Sequence, residues 1–137
     1  MNTFHLEILS PERIFYTGDC QSLTLPISDG MIGIMAHHSP LTAAIPDGEI
    51  TFTDSNGKMV VCAVTHGMAD VADNCVTVLC ESALYPHEID EESERKAAQE
   101  AMLEMKSKQG KKDYILWQLS LNKAVNRLKV KKKNQNI

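Results

Sequence analysis

The sequence predicts a small β-domain, a sandwich or barrel, followed by an antiparallel two-helix hairpin. Three observations carry this. Residues 4–84 alternate short apolar runs with turn residues. The pattern switches to helical spacing after Pro86-His87. The charge changes sign at the same place: residues 1–87 hold only Arg13 and Lys58 against ten acids, whereas residues 88–137 hold twelve bases against eight acids. Two parts with net charges of −8 and +4 meet different electrostatic surroundings, or each other. The reading places a β-domain over 1–86 and a helical domain over 87–137.

Phe4, Leu6 and Ile8 fall on one face of a first strand, and Ser10-Pro11-Glu12 turns the chain. Ile14-Phe15-Tyr16 predicts a short strand closed by Gly18-Asp19, and Leu23, Leu25 and Ile27 alternate again before Ser28-Asp29-Gly30. Glu49–Thr53 and Lys58–Val64 flank Asp54-Ser55-Asn56-Gly57, where Asn-Gly accepts the positive φ angles of a tight hairpin. Met68–Ala72 and Cys75–Cys80 flank Asp73-Asn74 in the same manner. Strands this short and regularly spaced favour a sandwich or barrel.

After Pro86, Ile89-Asp90-Glu91-Glu92 opens a helix with acids in the first turn, where the helix dipole favours them. Ala97, Ala98, Ala101, Met102 and Met105 continue its stripe to Lys108, and Gly110 is expected to stop it. Asp113 is expected to cap a second helix carrying Tyr114, Trp117, Leu121, Ala124, Val125 and Leu128 at three- and four-residue steps. Two helices of about 20 residues give a hairpin roughly 30 Å long.

Composition narrows the function classes. Aromatic residues make up 5% of 137, so the core is mostly aliphatic. No apolar run is long enough to span a bilayer as a helix. Met1 leads straight into a strand-like segment, so no signal or transit peptide is expected. Cys20, Cys62, Cys75 and Cys80 lack metal or redox spacing and read as reduced thiols acting as small hydrophobes.

No catalytic, metal or cofactor site emerges. His37-His38 would point to opposite faces of an extended backbone and cannot chelate one ion together. Ser39 beside His38 is no nucleophile–base pair, since such partners meet in space. Gly30-Met31-Ile32-Gly33 precedes no helix N-terminus, so it is a weak phosphate cradle. The run Lys129–Lys133 reads as a solvated helix end and not as a nucleic-acid site. A free-standing β-sandwich ligand-binding module with a helical dimerisation hairpin is the alternative reading, and a Cys62/His66 hydrolase a weaker third.

Several segments resemble one family in order along the chain. Gly30-Met31-Ile32-Gly33-Ile34-Met35-Ala36-His37-His38-Ser39-Pro40-Leu41 resembles the signature G-x-x-G-I-L-x-x-H-A-P-L of the epsilon subunit of bacterial F-type ATP synthases. Ala63–Val71 resembles the same family's A-V-S-G-G-F-L-E-V, and Cys75–Leu79 continues it. Phe4–Ile8 with Ser10-Pro11, Ile89-Asp90, and Asn126–Val130 also fit. His66 stands where the family has the first of two glycines, and Pro46-Asp47-Gly48 where it has K-P-G.

The resemblance implies a β-sandwich of about ten strands and a non-catalytic rotor subunit without a cofactor. It implies that the sandwich grips the gamma subunit and rests on the ring of c subunits. It also implies that the hairpin, when extended, reaches the acidic region of the beta subunits and blocks ATP hydrolysis. Membrane association would come only through the complex, at the cytoplasmic face of the cell membrane. The partner-binding candidates so implied are Gly30, Gly33, His38, Pro40, Leu41, Lys123 and Arg127, with Lys106, Lys108, Lys111 and Lys112 adding to the cationic hairpin. Some relatives hold one ATP on the hairpin through I-D-x-x-R-A, an upstream glutamate and two basic residues. Here Ile89, Asp90, Lys123 and Arg127 are the remnant. Ser93 and Glu94 occupy the motif's arginine and alanine positions, and Leu84 the glutamate position. Weak or absent ATP binding is the expectation.

Overall fold

Residues 2–107 and 110–134 are described by a computed structural model of the chain. Seven strands are followed by two helices: β1 (Phe4–Leu9), β2 (Ile14–Ile27), β3 (Gly30–Met35), β4 (Leu41–Ile45), β5 (Gly48–Asp54), β6 (Met59–Ala72), β7 (Cys75–Leu84), a 3-10 turn at Pro86–Glu88, α1 (Glu91–Lys106) and α2 (Lys111–Lys133). The chain divides into two compact units, Met1–Tyr85 and Pro86–Ile137.

Seven strands stand where the family resemblance implies about ten, and two segments read as breaks do not break the chain. Gly18-Asp19 lies inside β2, and Thr65-His66-Gly67 lies inside β6; each of these strands is 14 residues long. A strand of that length can serve more than one neighbour. β2 pairs with β1, β3 and β5, while β6 pairs with β4, β5 and β7. β1 pairs antiparallel with β2 and parallel with β7, so the ladder β1-β7-β6-β5-β2 closes on itself. Closure removes most exposed strand edges. β3 and β4 remain as outer strands of this sandwich.

Alternation fills the interior. Phe4, Leu6 and Ile8 of β1, Leu23 and Leu25 of β2, Ile50 and Phe52 of β5, and Val76 and Val78 of β7 are all buried. Each such side chain contributes about 1.5–3 kcal/mol on leaving water. Every residue of this core cluster, with the side chains packed on it, falls between Phe4 and Tyr85. Tyr85 closes one end: its ring lies 4.3 Å from that of Phe15, Arg13 sits 5.2 Å from the Phe15 ring, and the Arg13 guanidinium donates to the Ala83 carbonyl at 2.7 Å.

The turns follow their residues. Asp73 and Asn74 both take positive φ, 52° and 61°, as a two-residue hairpin turn requires. In the Asp54–Gly57 turn only Gly57 does so, at 83°. There the Asp54 carboxylate organises the loop instead, accepting from the Asn56 and Lys58 amides at 2.9 Å each.

In the second unit, Asp90 is the N-cap of α1 and accepts from the Ser93 amide at 3.3 Å. The helix ends earlier than expected, at Lys106, where the Ser107 hydroxyl donates to the Glu104 carbonyl at 2.7 Å and competes with the helical pattern. Gly110 caps the start of α2 and does not end α1; Asp113, expected as the cap, lies in the first turn of α2. Lys108, counted among the hairpin's cations, lies outside the described residues. Glu94 of α1 meets Arg127 of α2, which fixes the antiparallel register. Among the described residues, no helix is long and apolar enough to cross a membrane.

Candidate functional site

Two places collect the candidate residues, one in each unit. In the β-unit, the His37-His38-Ser39-Pro40 loop joins β3 to β4. Asn74 anchors it: its side-chain oxygen accepts from the His37 amide at 2.7 Å, and its side-chain nitrogen donates to the Thr3 carbonyl at 2.9 Å. The Asn74 carbonyl also accepts from the His5 amide at 3.1 Å. One turn residue thus ties together the loop, the start of β1 and the β6–β7 hairpin. His37 takes a positive φ of 65°, and His38 Nδ1 lies 2.7 Å from the Ser39 carbonyl. His38 and Leu41 are half-buried and Pro40 is exposed at this end. Gly33 lies in mid-strand, exposed, with open space where a Cβ would be. Gly30 starts β3, about 17 Å along the strand from Met35. The structure therefore groups His38, Pro40 and Leu41, and leaves Gly30 at the other end of β3.

Two departures from the family pattern meet in space. Asp47 accepts from the His66 amide at 2.8 Å and lies 3.3 Å from its Nδ1, while Nε2 lies 3.3 Å from Glu81. Asp47 and His66 are 19 residues apart in sequence, so the pair emerges only from β6 returning past the end of β4. Cys62, four positions from His66 and about 13 Å along an extended strand, is buried away from it. The structure does not assemble the nucleophile–base pair of the hydrolase reading.

Burial pushes the Cys20 and Cys80 thiols up to about 11 from an ordinary 9.0, and pushes Cys62 further up still. Cys75 alone is exposed. With thiolate so scarce at neutral pH, one thiol per native chain is expected to react with a disulfide reagent, and four after denaturation. These buried thiols hold their protons more tightly folded than unfolded. Their contribution to stability is present below pH 9 and is lost as pH rises through the folded values. Thermal melts at pH 8 and pH 10.5 check the sign.

In the helical unit, Arg127 lies 3.0 Å from Glu94, with only 16% and 14% of the side chains exposed. Lys131 donates to the Pro86 carbonyl at 3.0 Å. Lys123, Arg127 and Lys131 recur every fourth residue and so share a stripe of α2. Asp90 is occupied as a helix cap, Ser93 lends its amide to that cap, and Arg95 pairs with Glu91 one turn back. Ile89 is buried. Of the remnant of the ATP motif, Asp90 is thus engaged as the cap of α1 and Arg127 in the ion pair that joins α2 to α1. The Glu94–Arg127 pair was missed in sequence; its signal was an acid at a position where the family motif has alanine.

Residues 3–86 match the family described as ATP synthase, Delta/Epsilon chain, beta-sandwich domain, and residues 87–132 match its long alpha-helix domain. The chain is 34% identical over 133 residues to the ATP synthase epsilon chain of Caldanaerobacter subterraneus subsp. tengcongensis, covering 97% of this chain and 96% of that one. It is 33% identical to the epsilon chain of Caldicellulosiruptor bescii, covering 98% of each. The chain belongs to the ATP synthase epsilon-chain family. As an epsilon-family chain it is an accessory, non-catalytic subunit. Its fold resembles a chain in the Euglena gracilis mitochondrial ATP synthase, at a TM-score of 0.76 and 21% identity, over 88% of this chain and 76% of that one. It also resembles a chain in the central stalk and c-ring of the Tetrahymena thermophila enzyme, at 0.61 and 10% identity, over 93% and 95%.

Proposed function

We propose that this epsilon-family chain is a central-stalk subunit of a rotary ATP synthase. Its β-unit holds the gamma subunit and rests on the c-ring, using the His38-Pro40-Leu41 end and the Gly33 face of β3. Its hairpin restrains ATP hydrolysis by reaching the acidic region of the beta subunits. The chain lies at the cytoplasmic face of the membrane through the complex alone. The observation that supports this reading is that both family matches lie in order along nearly the whole chain, one for each compact unit.

The test is assembly. Residues 1–86 retain the whole core cluster of the β-unit and Tyr85, so that fragment is expected to give a β-type circular dichroism spectrum and to pull down gamma. The full chain is expected to co-purify with a membrane ATPase. A folded fragment that ignores gamma would count against the stalk assignment. An unfolded one would show that the helices are needed to complete the sandwich.

The same reading includes little or no ATP binding. A bidentate guanidinium is replaced by the Ser93 hydroxyl, and Glu94 adds negative charge beside Arg127. Calorimetric titration of the isolated chain is expected to show no saturable binding tighter than about 100 μM, or about −5.5 kcal/mol. Tighter binding would mean that other residues supply the missing charge.

A further inference from the structure

The acids at the start of α1 are used in three ways. Asp90 caps the helix, Glu91 pairs with Arg95 along it, and Glu94 crosses to α2. The crossing pair differs from the others in burial. Arg95–Glu91 is 60% and 43% exposed and Lys96–Glu92 is 75% and 78% exposed, against 16% and 14% for Arg127–Glu94. The exposed pairs contribute little to stability, since water screens them. The sheltered pair has given up much of its hydration, so each charge depends on the other. One turn further along α2, Lys131 binds the Pro86 carbonyl, tying the helix end to the 3-10 turn that begins the unit. The hairpin's base is therefore fastened twice from one cationic stripe, through Arg127 and through Lys131. Its tip is different: Met102, Leu103, Ile115, Leu116 and Leu119 are all about half-exposed or more.

We infer that Glu94 is a built-in counter-anion: its carboxylate occupies Arg127, so the base of the hairpin is held closed by the chain itself and not by a diffusible anion. This goes beyond the stalk reading and does not depend on the complex, because closure is a property of the isolated chain. It makes the hairpin indifferent to phosphate-bearing solutes, and it sets the order of opening. The tip separates first, and the base follows only when the ion pair parts.

Hydrogen exchange measured by mass spectrometry on the full-length chain tests this, with β-strand peptides as internal reference. Glu94→Gln leaves the Arg127 charge sheltered and unmatched, and is expected to speed exchange in Glu91–Ala101 and Lys123–Lys133 at least about ten-fold. Glu94→Gln with Arg127→Met removes both charges and is expected to return to within about three-fold of the parent, because paired removal leaves nothing uncompensated. Inorganic tripolyphosphate at millimolar concentration is expected to leave the parent unchanged and to slow exchange in Glu94→Gln, where an added anion can take the vacated place. Parent-like exchange in Glu94→Gln, a double variant as loose as the single, or a parent that tightens with tripolyphosphate would each overturn the inference.

Discussion

Gly67→Ala is expected to prevent the β-unit from folding, or to cost more than about 4 kcal/mol, against a total stability of about 5–15 kcal/mol for a domain. Gly67 sits inside β6, opposite Cys80 of β7 and Ile45 of β4. A Cβ there would overlap the Leu79 carbonyl oxygen and lie 2.6 Å from the Cys80 Cα and 2.8 Å from the Leu79 carbonyl carbon. All three neighbours are backbone, so no side chain can turn aside. Relief would require separating β6 from β7, and those two strands carry nine paired positions of the closed ladder. The φ angle at Gly67 is not the reason, since it is not positive; the glycine is required by the close passage of the next strand. Gly33→Ala is the matched control: a Cβ there meets nothing within 4 Å, and the melting temperature is expected to stay within about 3 °C. Soluble yield and thermal melts of the two variants decide. A Gly67→Ala chain that melts like the parent would show that β7 can be displaced cheaply.

Deleting the chain from Asp113 onward is expected to relieve inhibition of ATP hydrolysis in the assembled enzyme several-fold. The deletion removes nearly all of α2, its terminal lysines and the partner that fixes α1. A lone 16-residue helix is marginal in water, so α1 is expected to fray as well. Lys123→Ala tests the charge without that collapse, and its effect should be smaller. Arg127→Ala combines two effects, since it removes a cation and strands Glu94, so it is read only beside Arg127→Ala with Glu94→Ala. If exposed charge dominates, inhibition should weaken with salt, because screening sets in over about 10 Å at 0.1 M. Hydrolysis rates with the full chain, the deletion and Lys123→Ala at two ionic strengths supply the comparison. Unchanged inhibition by the deleted chain would remove the hairpin from the mechanism.

The main outline was legible because hydrophobic period and turn chemistry are local signals. Asp73-Asn74 predicted its own hairpin, and Asp90 predicted its own cap. Strand count failed at Gly18-Asp19 and at His66-Gly67 because turn-like residues can also sit within a long strand. At Gly67 the residue type reflects a neighbouring backbone, which sequence spacing does not reveal. The helix ends slipped for a related reason: Ser107 turns its hydroxyl back onto the Glu104 carbonyl and stops α1 before Gly110 is reached. Among candidate residues, His38, Pro40 and Leu41 come from one contiguous motif and so lie together in any fold. Asn74, the residue that anchors their loop, lies 36 positions beyond His38 in sequence, and only the fold brings it there. The Asp47–His66 and Glu94–Arg127 pairs were illegible in the same way, since each joins segments whose spacing carries no period.

The parallel pairing of β1 with β7 also has a consequence for synthesis. Leu6 lies opposite Val76 and Ile8 opposite Val78, so the first strand to be made waits for the last strand of its unit. β1 can meet β2 early, across a short turn, but one side of it stays unpaired until residue 79 has emerged. Pairings this distant in sequence slow folding and prolong the life of partly formed, sticky intermediates. The helices that follow make contacts within about 50 residues of one another, so they can form while the sandwich is still closing. A nascent chain stalled before β7 is therefore expected to be the form that chaperones retain.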